Sequence, residues 1–328
     1  MMFKPCSKVV SKIALLLMTS ISAIGPTRTA LAAISGSDDF NDNSKDPAKW
    51  ATDIPSGNGI LTEINQRLQY TCSPATDEDI AVRPWLLNKA AYNTDWEVRL
   101  DLHNAATPPS INQVTSIGIE VLAANNFANF VDLELYASTL DMPQLRRGFQ
   151  AVLAVNNNDI GQNDTLDLGV TDGAIRIVFD SQTKVFTFFY DSNGSADGYV
   201  WTQLASFGIN GSGGTTANGS WGLSGSQAFE LAIYGFDSNI AVSSGQMYAD
   251  NFSAQTAPTT SPVVTNWVSG DTLVMSWPQS ALNYSLQESS VLDSNSWSSA
   301  AQSPVLSNGF YSVAVPMTGS GRFFRLKR

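Results

Sequence analysis

Trp96-Glu97-Val98-Arg99-Leu100-Asp101-Leu102-His103 puts an apolar side chain at every second position, with a charged or polar residue between each pair. Successive side chains of an extended strand point to opposite sides, so this run makes a strand with one apolar and one polar face. A helix needs its apolar positions three and four apart, and here they are two apart. The same period recurs along the chain. Ile117, Ile119 and Val121 alternate with Gly118 and Glu120, and Val131, Leu133 and Leu135 alternate with Asp132, Glu134 and Tyr136. Phe149, Ala151, Leu153 and Val155 follow. Ile175, Ile177 and Phe179 lead through Asp180-Ser181-Gln182-Thr183 into 184–190, which predicts a hairpin. Further strands are predicted over 199–204, 229–234 and 247–254, and a Gly/Ser/Thr/Asn loop without periodicity over 210–219. Many antiparallel strands with one apolar face each predict an all-β, two-sheet antiparallel jelly-roll sandwich.

The first thirty-odd residues read differently. Lys4, Lys8 and Lys12 precede a short apolar run over 13–18, and Ala30-Leu31-Ala32 is a small-residue cleavage pattern. That order predicts a secretory signal peptide over 1–32 and a protein that is secreted or held at the cell surface. The apolar run is too short for a permanent membrane helix, and no later stretch is long and apolar enough, so no membrane insertion is expected. Cys6 lies inside the signal and does not follow a lipobox-like cleavage site. Cys72 is then the one cysteine of the processed chain, no internal disulfide can form, and the fold must rest on its core.

Removing Lys4, Lys8, Lys12 and Arg28 with the signal leaves 14 basic against 29 acidic residues. That balance argues against nucleic acid and anionic lipid as partners and is compatible with neutral sugars and with calcium. The excess sits in the first part of the chain. After a short Pro/Thr linker over 256–262, the segment from Thr260 onward carries four basic and three acidic residues. Strands predicted over 272–277, 284–288 and 310–315 make 263–328 a second, smaller β-sandwich.

Two stretches carry a family resemblance. Ser37-Asp38-Asp39-Phe40-Asn41-Asp42-Asn43, followed by Asp46-Pro47-Ala48-Lys49-Trp50, resembles the first strand of concanavalin A-like lectin/glucanase domains. Leu61-Thr62-Glu63 and Leu68-Gln69-Tyr70 resemble their next hairpin, and Met247-Tyr248-Ala249-Asp250-Asn251-Phe252 their last strand, which returns beside the first. The resemblance spans 37–255 and implies two curved antiparallel sheets with ligands bound on the concave face or its rim. It also implies a structural calcium ion where the first and last strands meet, held here by Asp38, Asp39 and Asp250. In the tail, 273–278, 284–289, Trp297 and Arg322-Phe323-Phe324-Arg325-Leu326 resemble a fibronectin type III-like module of secreted bacterial proteins, which implies a spacer or attachment element.

Retaining β-glucanases of the same superfamily carry E-x-D-x-E on one strand, where two carboxylates flank the scissile bond. This chain has Phe130-Val131-Asp132-Leu133-Glu134, so Phe130 stands at the nucleophile position. Asp132 and Glu134 share one side of their strand, and with Glu120 they form either an acidic patch or a plain solvent-facing side. His103, the single histidine, argues against a Ser-His-Asp triad and a His-rich metal site. It shares the polar side of its strand with Glu97, Arg99 and Asp101, a side that is either a ligand groove or an outer surface. Trp85, Tyr92, Trp201 and Trp221 lie near loops or strand ends, where a ring can stack on a sugar, while Trp96 is expected in the core.

The leading expectation is therefore a secreted, non-catalytic lectin-like protein that recognises an extracellular glycan. Its ligand residues are expected among Glu97, Arg99, His103, Glu120, Asp132, Glu134, Trp85 and Trp201. A divergent polysaccharide hydrolase or lyase would have to use Glu120, Asp132, Glu134 and His103. A structural envelope or matrix protein is the third reading, and fold class alone does not separate the three.

Overall fold

The computed structural model describes residues 35–73, 78–86, 90–140, 144–225, 227–256, 264–278, 284–293, 296–307, 310–317 and 321–327. The expected signal over 1–32 and all but Thr256 of the expected linker lie outside the described residues. The chain divides into two compact units, the first ending at Ala257 and the second beginning at Pro258.

The first unit begins with β1 (Ser35–Asp38), β2 (Ile54–Ser56), β3 (Gly59–Glu63), β4 (Leu68–Cys72), β5 (Glu78–Pro84) and β6 (Ala90–Ala91). Next come β7 (Trp96–Asn104), β8 (Val114–Ala123), β9 (Asn126–Ser138), β10 (Arg146–Val155), β11 (Asn158–Asp164) and β12 (Asp172–Asp180). It closes with β13 (Val185–Asp191), β14 (Thr202–Gly208), β15 (Ala217–Asn218), β16 (Ala228–Ser238) and β17 (Met247–Thr256). A nine-stranded sheet runs β15-β14-β13-β12-β7-β17-β4-β3, with β1 paired to β17. An eight-stranded sheet runs β11-β10-β9-β8-β16-β5-β2, with β6 paired to β16. The unit is an all-β jelly-roll sandwich, and its first and last strands lie side by side, with Asp38 opposite Phe252.

Alternation explains the packing. Trp96, Val98, Leu100 and Leu102 of β7 and Ile175, Ile177 and Phe179 of β12 meet Ile117, Ile119 and Val121 of β8 and Val131, Leu133 and Leu135 of β9 in one core. Each large apolar side chain withdrawn there contributes about 1.5–3 kcal/mol. Trp96, Phe179, Phe186 and Phe229 interlock at ring-centroid separations of 4.9–5.8 Å. A second aromatic group of Trp50, Trp85 and Phe252 packs at 4.6–5.0 Å.

Two local devices keep strands in register. The turn between β3 and β4 has Asn65 and Gln66 at φ 57° and 59°, the pair of positive values that a two-residue type I′ hairpin requires. In β17 the register with β7 shifts between Asp250 and Ser253, and Asn251 sits at φ 51°. This bulge changes the inward positions from Met247 and Ala249 to Phe252 and Ala254.

The predicted hairpin over 175–190 is β12–β13, with Asp180 opposite Val185. Asp180 Oδ1 accepts the Gln182 and Thr183 amides at 2.8 and 3.0 Å and closes its turn. Two predictions need correction. The strand expected over 199–204 starts at Thr202 and runs to Gly208, because Asp191 Oδ2 takes the Val200 amide at 2.6 Å and holds the chain before it off the ladder. The loop expected over 210–219 contains β15, which pairs with β14 in parallel, Phe207 opposite Ala217.

The second unit contains β18 (Thr265–Ser269), β19 (Thr272–Pro278), β20 (Ser285–Ser289), β21 (Ser298–Ser299), β22 (Val305–Ser307), β23 (Phe310–Pro316) and β24 (Phe323–Lys327). They form a four-stranded sheet, β18-β19-β23-β22, and a three-stranded sheet, β21-β20-β24. Met275, Trp277, Val313 and Val315 of the first meet Leu286 of the second, making a small sandwich with its own core. Among the described residues of the chain, no helix is long and apolar enough to cross a membrane.

Candidate functional site

The predicted ligand residues divide between two faces of the large sandwich. Glu97, Arg99 and His103 lie on the face of the nine-stranded sheet that points away from the core, and Trp201 stands just before β14 of that sheet. Arg176 donates to Glu97 from Nε at 3.1 Å and again from its Nη2 group, and Gln255 donates to the other Glu97 oxygen at 2.6 Å. His103 Nδ1 lies 2.6 Å from Asp172 Oδ1, and its ring stacks on Tyr248 at 4.5 Å. The Arg67 guanidinium covers the same Tyr248 ring at 4.0 Å. Tyr199 stacks on Trp201 at 5.0 Å, sits under Arg99 at 4.9 Å, and donates its hydroxyl to Asp101 at 3.0 Å. Burial, followed by the Asp101 carboxylate, pushes the Tyr199 hydroxyl up to about 12, so it remains a donor. Most of these polar groups meet another on the same face, while the Arg67 Nε is buried without a hydrogen-bond partner among the described residues.

Glu120, Asp132 and Glu134 lie on the opposite side of the molecule, on the face of the eight-stranded sheet that points away from the core. The register places Glu120 directly across from Asp132, and Glu134 across from Gln150 on β10 and Gly118 on β8. Tyr234 on β16 is the register partner of Gly118 from the other side. Gly118 has no side chain between the two, and the Tyr234 hydroxyl reaches across to Glu134 Oε2 at 2.5 Å. A Cβ at Gly118 would lie 2.9 Å from the Glu134 Cβ. Apolar Ile80, Val82, Leu122, Phe130 and Phe236 flank this polar centre on the same face.

This face is not the solvent-facing side of a strand. Glu120, Asp132, Glu134 and Gln150 are 0–3% exposed. Both oxygens of Glu120, both of Asp132 and Oε1 of Gln150 have no hydrogen-bond partner among the described residues. An unpaired polar group withdrawn from water costs about 1–3 kcal/mol, and more when charged. Burial pushes the Glu120 carboxyl well above its ordinary value. Burial also raises Asp132, with Glu134, Glu120 and Asp159 adding in that order. Asp159, itself half-buried, is brought up to about 6 by burial. The result is a cluster of acceptors that lack donors.

Gln150, Asp159 and Tyr234 were not predicted from the sequence. Val152 and Ala154 make the outward side of β10 look apolar, and Tyr234 sits in an apolar run, so neither strand shows an alternation that marks it. The positions meet through long-range register.

Trp85 is 5% exposed and packs against Trp50 and Phe252, so it belongs to the core and is not open to a sugar. Tyr92 and Trp221 are buried too, and the Trp221 indole donates to the Ala154 carbonyl at 3.1 Å. Phe130 shares its side of β9 with Asp132 and Glu134 and is fully buried.

The residues expected to hold calcium do not gather into one ligand set. Asp38 turns inward, Oδ2 accepting the Trp50 indole N–H at 2.7 Å and Oδ1 the Phe40 amide at 3.1 Å. Asp39 is exposed and caps the Asn41 amide at 3.3 Å. Asp250 Oδ1 takes the amide of its neighbour Asn251 at 2.7 Å. These carboxylates complete turns and a core indole, and they do not fit a calcium shell of converging oxygens.

No protein-family model matches the sequence, and no curated protein matches it. In fold, the chain is similar to the lectin from Bauhinia forficata in complex with GalNAc, at 13% identity and a TM-score of 0.43, over 70% of this chain and 100% of that one. It is similar to lectin II from Ulex europaeus at 10% identity and a TM-score of 0.42, over 68% of this chain and 97% of that one. It is also similar to the metal-free form of lectin I-B4 from Griffonia simplicifolia, at 12% identity and a TM-score of 0.41, over 68% and 99%.

Proposed function

We propose that this chain is an exported glycan-binding protein whose site is the acidic face of the eight-stranded sheet. The observation that carries this reading is the set of unpartnered acceptor oxygens on Glu120, Asp132 and Gln150, which are covered in this structure, so a ligand reaches them only when that face opens. A carbohydrate presents many hydroxyl donors, each able to hydrogen-bond to such an acceptor. The nine-stranded face pairs most of its polar groups with one another, so it offers a ligand less. The tail unit, on its resemblance to fibronectin type III-like modules, would space or attach the binding unit outside the cell.

A second reading, a glycoside hydrolase, draws on one feature. Glu120 and Asp132 are cross-strand partners whose carboxyls are held toward the protonated form, as a general acid requires. The deciding experiment passes the protein over a panel of immobilised polysaccharides and scores retention together with reducing-end release. The expected outcome is retention without release, lost in Glu120→Gln/Asp132→Asn. Release that disappears in Glu134→Gln would replace binding with hydrolysis. Absence of retention on every glycan would contradict both readings and favour a matrix role.

A further inference from the structure

At one end of the large sandwich, the space between the sheets holds a group of side chains unconnected with the acidic outer face. Cys72 closes β4 in the nine-stranded sheet, while Asp79 of β5 and Asp237 of β16 are register partners in the eight-stranded sheet. The Cys72 sulfur and one oxygen from each carboxylate all lie within 4.8 Å of one another. Asp79 and Asp237 are 0% exposed and Cys72 is 6% exposed.

Their surroundings hold them in place. The Cys72 backbone exchanges two hydrogen bonds with Val242, each 3.0 Å. Asp237 Oδ1 accepts the Ile240 amide at 2.8 Å, and its Oδ2 lies 2.8 Å from the Tyr70 hydroxyl. Asp79 Oδ1 takes the Asn58 amide at 2.6 Å. The neighbouring Gly57, at φ 70°, leaves the room for this carboxylate, since a Cβ there would lie 1.9 Å from Oδ1. The second oxygen of Asp79 is fully buried and has no hydrogen-bond partner among the described residues. The group therefore contains a buried carboxylate oxygen without a hydrogen-bond partner, beside a second carboxylate and a thiol whose sulfur lies 3.1 Å from the Ser73 carbonyl oxygen.

We infer that Cys72, Asp79 and Asp237 form a binding site for a divalent cation of the zinc type. A thiolate and two carboxylate oxygens are the donors such an ion accepts, at about 2.3 Å from sulfur and about 2.0–2.2 Å from oxygen. A hard cation such as calcium takes six to eight oxygens and disfavours sulfur. Tyr70 acts as the outer partner that orients Asp237, as metal-bound carboxylates commonly require. The cation would also offset mutual repulsion. By joining β4 to β5 and β16, the ion would tie the two sheets together.

The test uses the full chain with Cys6→Ser, so that thiol chemistry reports Cys72 alone. The metal-stripped protein is titrated with Zn2+ and, separately, with Co2+. Expected are stoichiometric Zn2+ uptake in equilibrium dialysis, a rise in melting temperature, and a thiolate-to-cobalt charge-transfer band. Adding Cys72→Ser should abolish the band, and Asp79→Asn should weaken Zn2+ binding at least about tenfold. Should either variant fail to fold, the parent protein still decides the matter, because bound Zn2+ must slow modification of Cys72 by a thiol reagent. No stoichiometric uptake, or modification equally fast with and without Zn2+, would overturn the site.

Discussion

At the residue scale, the clearest case is Asp38. In sequence it belongs to an acidic opening segment whose resemblance suggests a metal. In the fold its two oxygens are taken by the Trp50 indole and the Phe40 amide. Spacing along the chain showed the carboxylate but not its partner, because Trp50 reaches it through tertiary packing. Asp38→Ala leaves a buried indole N–H without an acceptor and should cost about 1–3 kcal/mol in denaturant unfolding. Added calcium should not shift the melting curve of the parent protein or of this variant, whereas a calcium-dependent rise in the parent alone would restore the metal reading. Trp85 teaches the same lesson, since its place before a loop suggested exposure and its ring closes the core against Trp50.

At the scale of elements, alternation was sufficient to find β7, β8, β9 and β12 and to assign the inward side of each. It was insufficient to say which strands share a sheet. Glu97, Arg99 and His103 on β7 and Glu120, Asp132 and Glu134 on β8 and β9 read as one pool of polar positions, yet they lie on opposite faces of the sandwich. The connection between β7 and β8 crosses from one sheet to the other, and no local pattern marks that crossing. Arg83 shows what holds the edges of the sheets together. From β5 it reaches Glu63 of β3 in the other sheet and pairs with Asp53 at 2.8 Å, at only 2% side-chain exposure. Arg83→Met strands a buried Glu63 carboxylate and should destabilise by about 3–5 kcal/mol, with much of the loss recovered in Arg83→Met/Glu63→Leu. A loss below about 1 kcal/mol in urea unfolding would show that the bridge contributes little.

At the scale of the whole molecule, the acidic face should set how stability depends on pH. Burial raises the carboxyls of Glu120 and Asp132 and brings Asp159 to about 6. A folded state that holds protons more tightly than the unfolded chain is favoured at low pH and loses that advantage as pH climbs through the folded values. The urea midpoint should therefore fall between about pH 5 and about pH 8, and the fall should flatten in Glu120→Gln/Asp132→Asn. A midpoint that rises over this range, or a slope unchanged in the variant, would contradict the burial of these groups. The all-β architecture was legible because the period of two repeats along most of the chain. The acidic face was only half legible, because Glu120, Asp132 and Glu134 could be singled out while Gln150, Asp159 and Tyr234 join them through register alone.

The central claim is that the acidic face of the eight-stranded sheet, and not the aromatic face opposite, binds a glycan. Calorimetric dissociation constants for an oligosaccharide of whichever polysaccharide retains the protein test it most directly, compared among the parent, Glu120→Gln/Asp132→Asn and Trp201→Ala. The account predicts binding weakened at least about tenfold in the first variant, the equivalent of one lost hydrogen bond, and within about twofold of the parent in the second. The reverse order, with Trp201→Ala abolishing binding and the double variant leaving it intact, would contradict it.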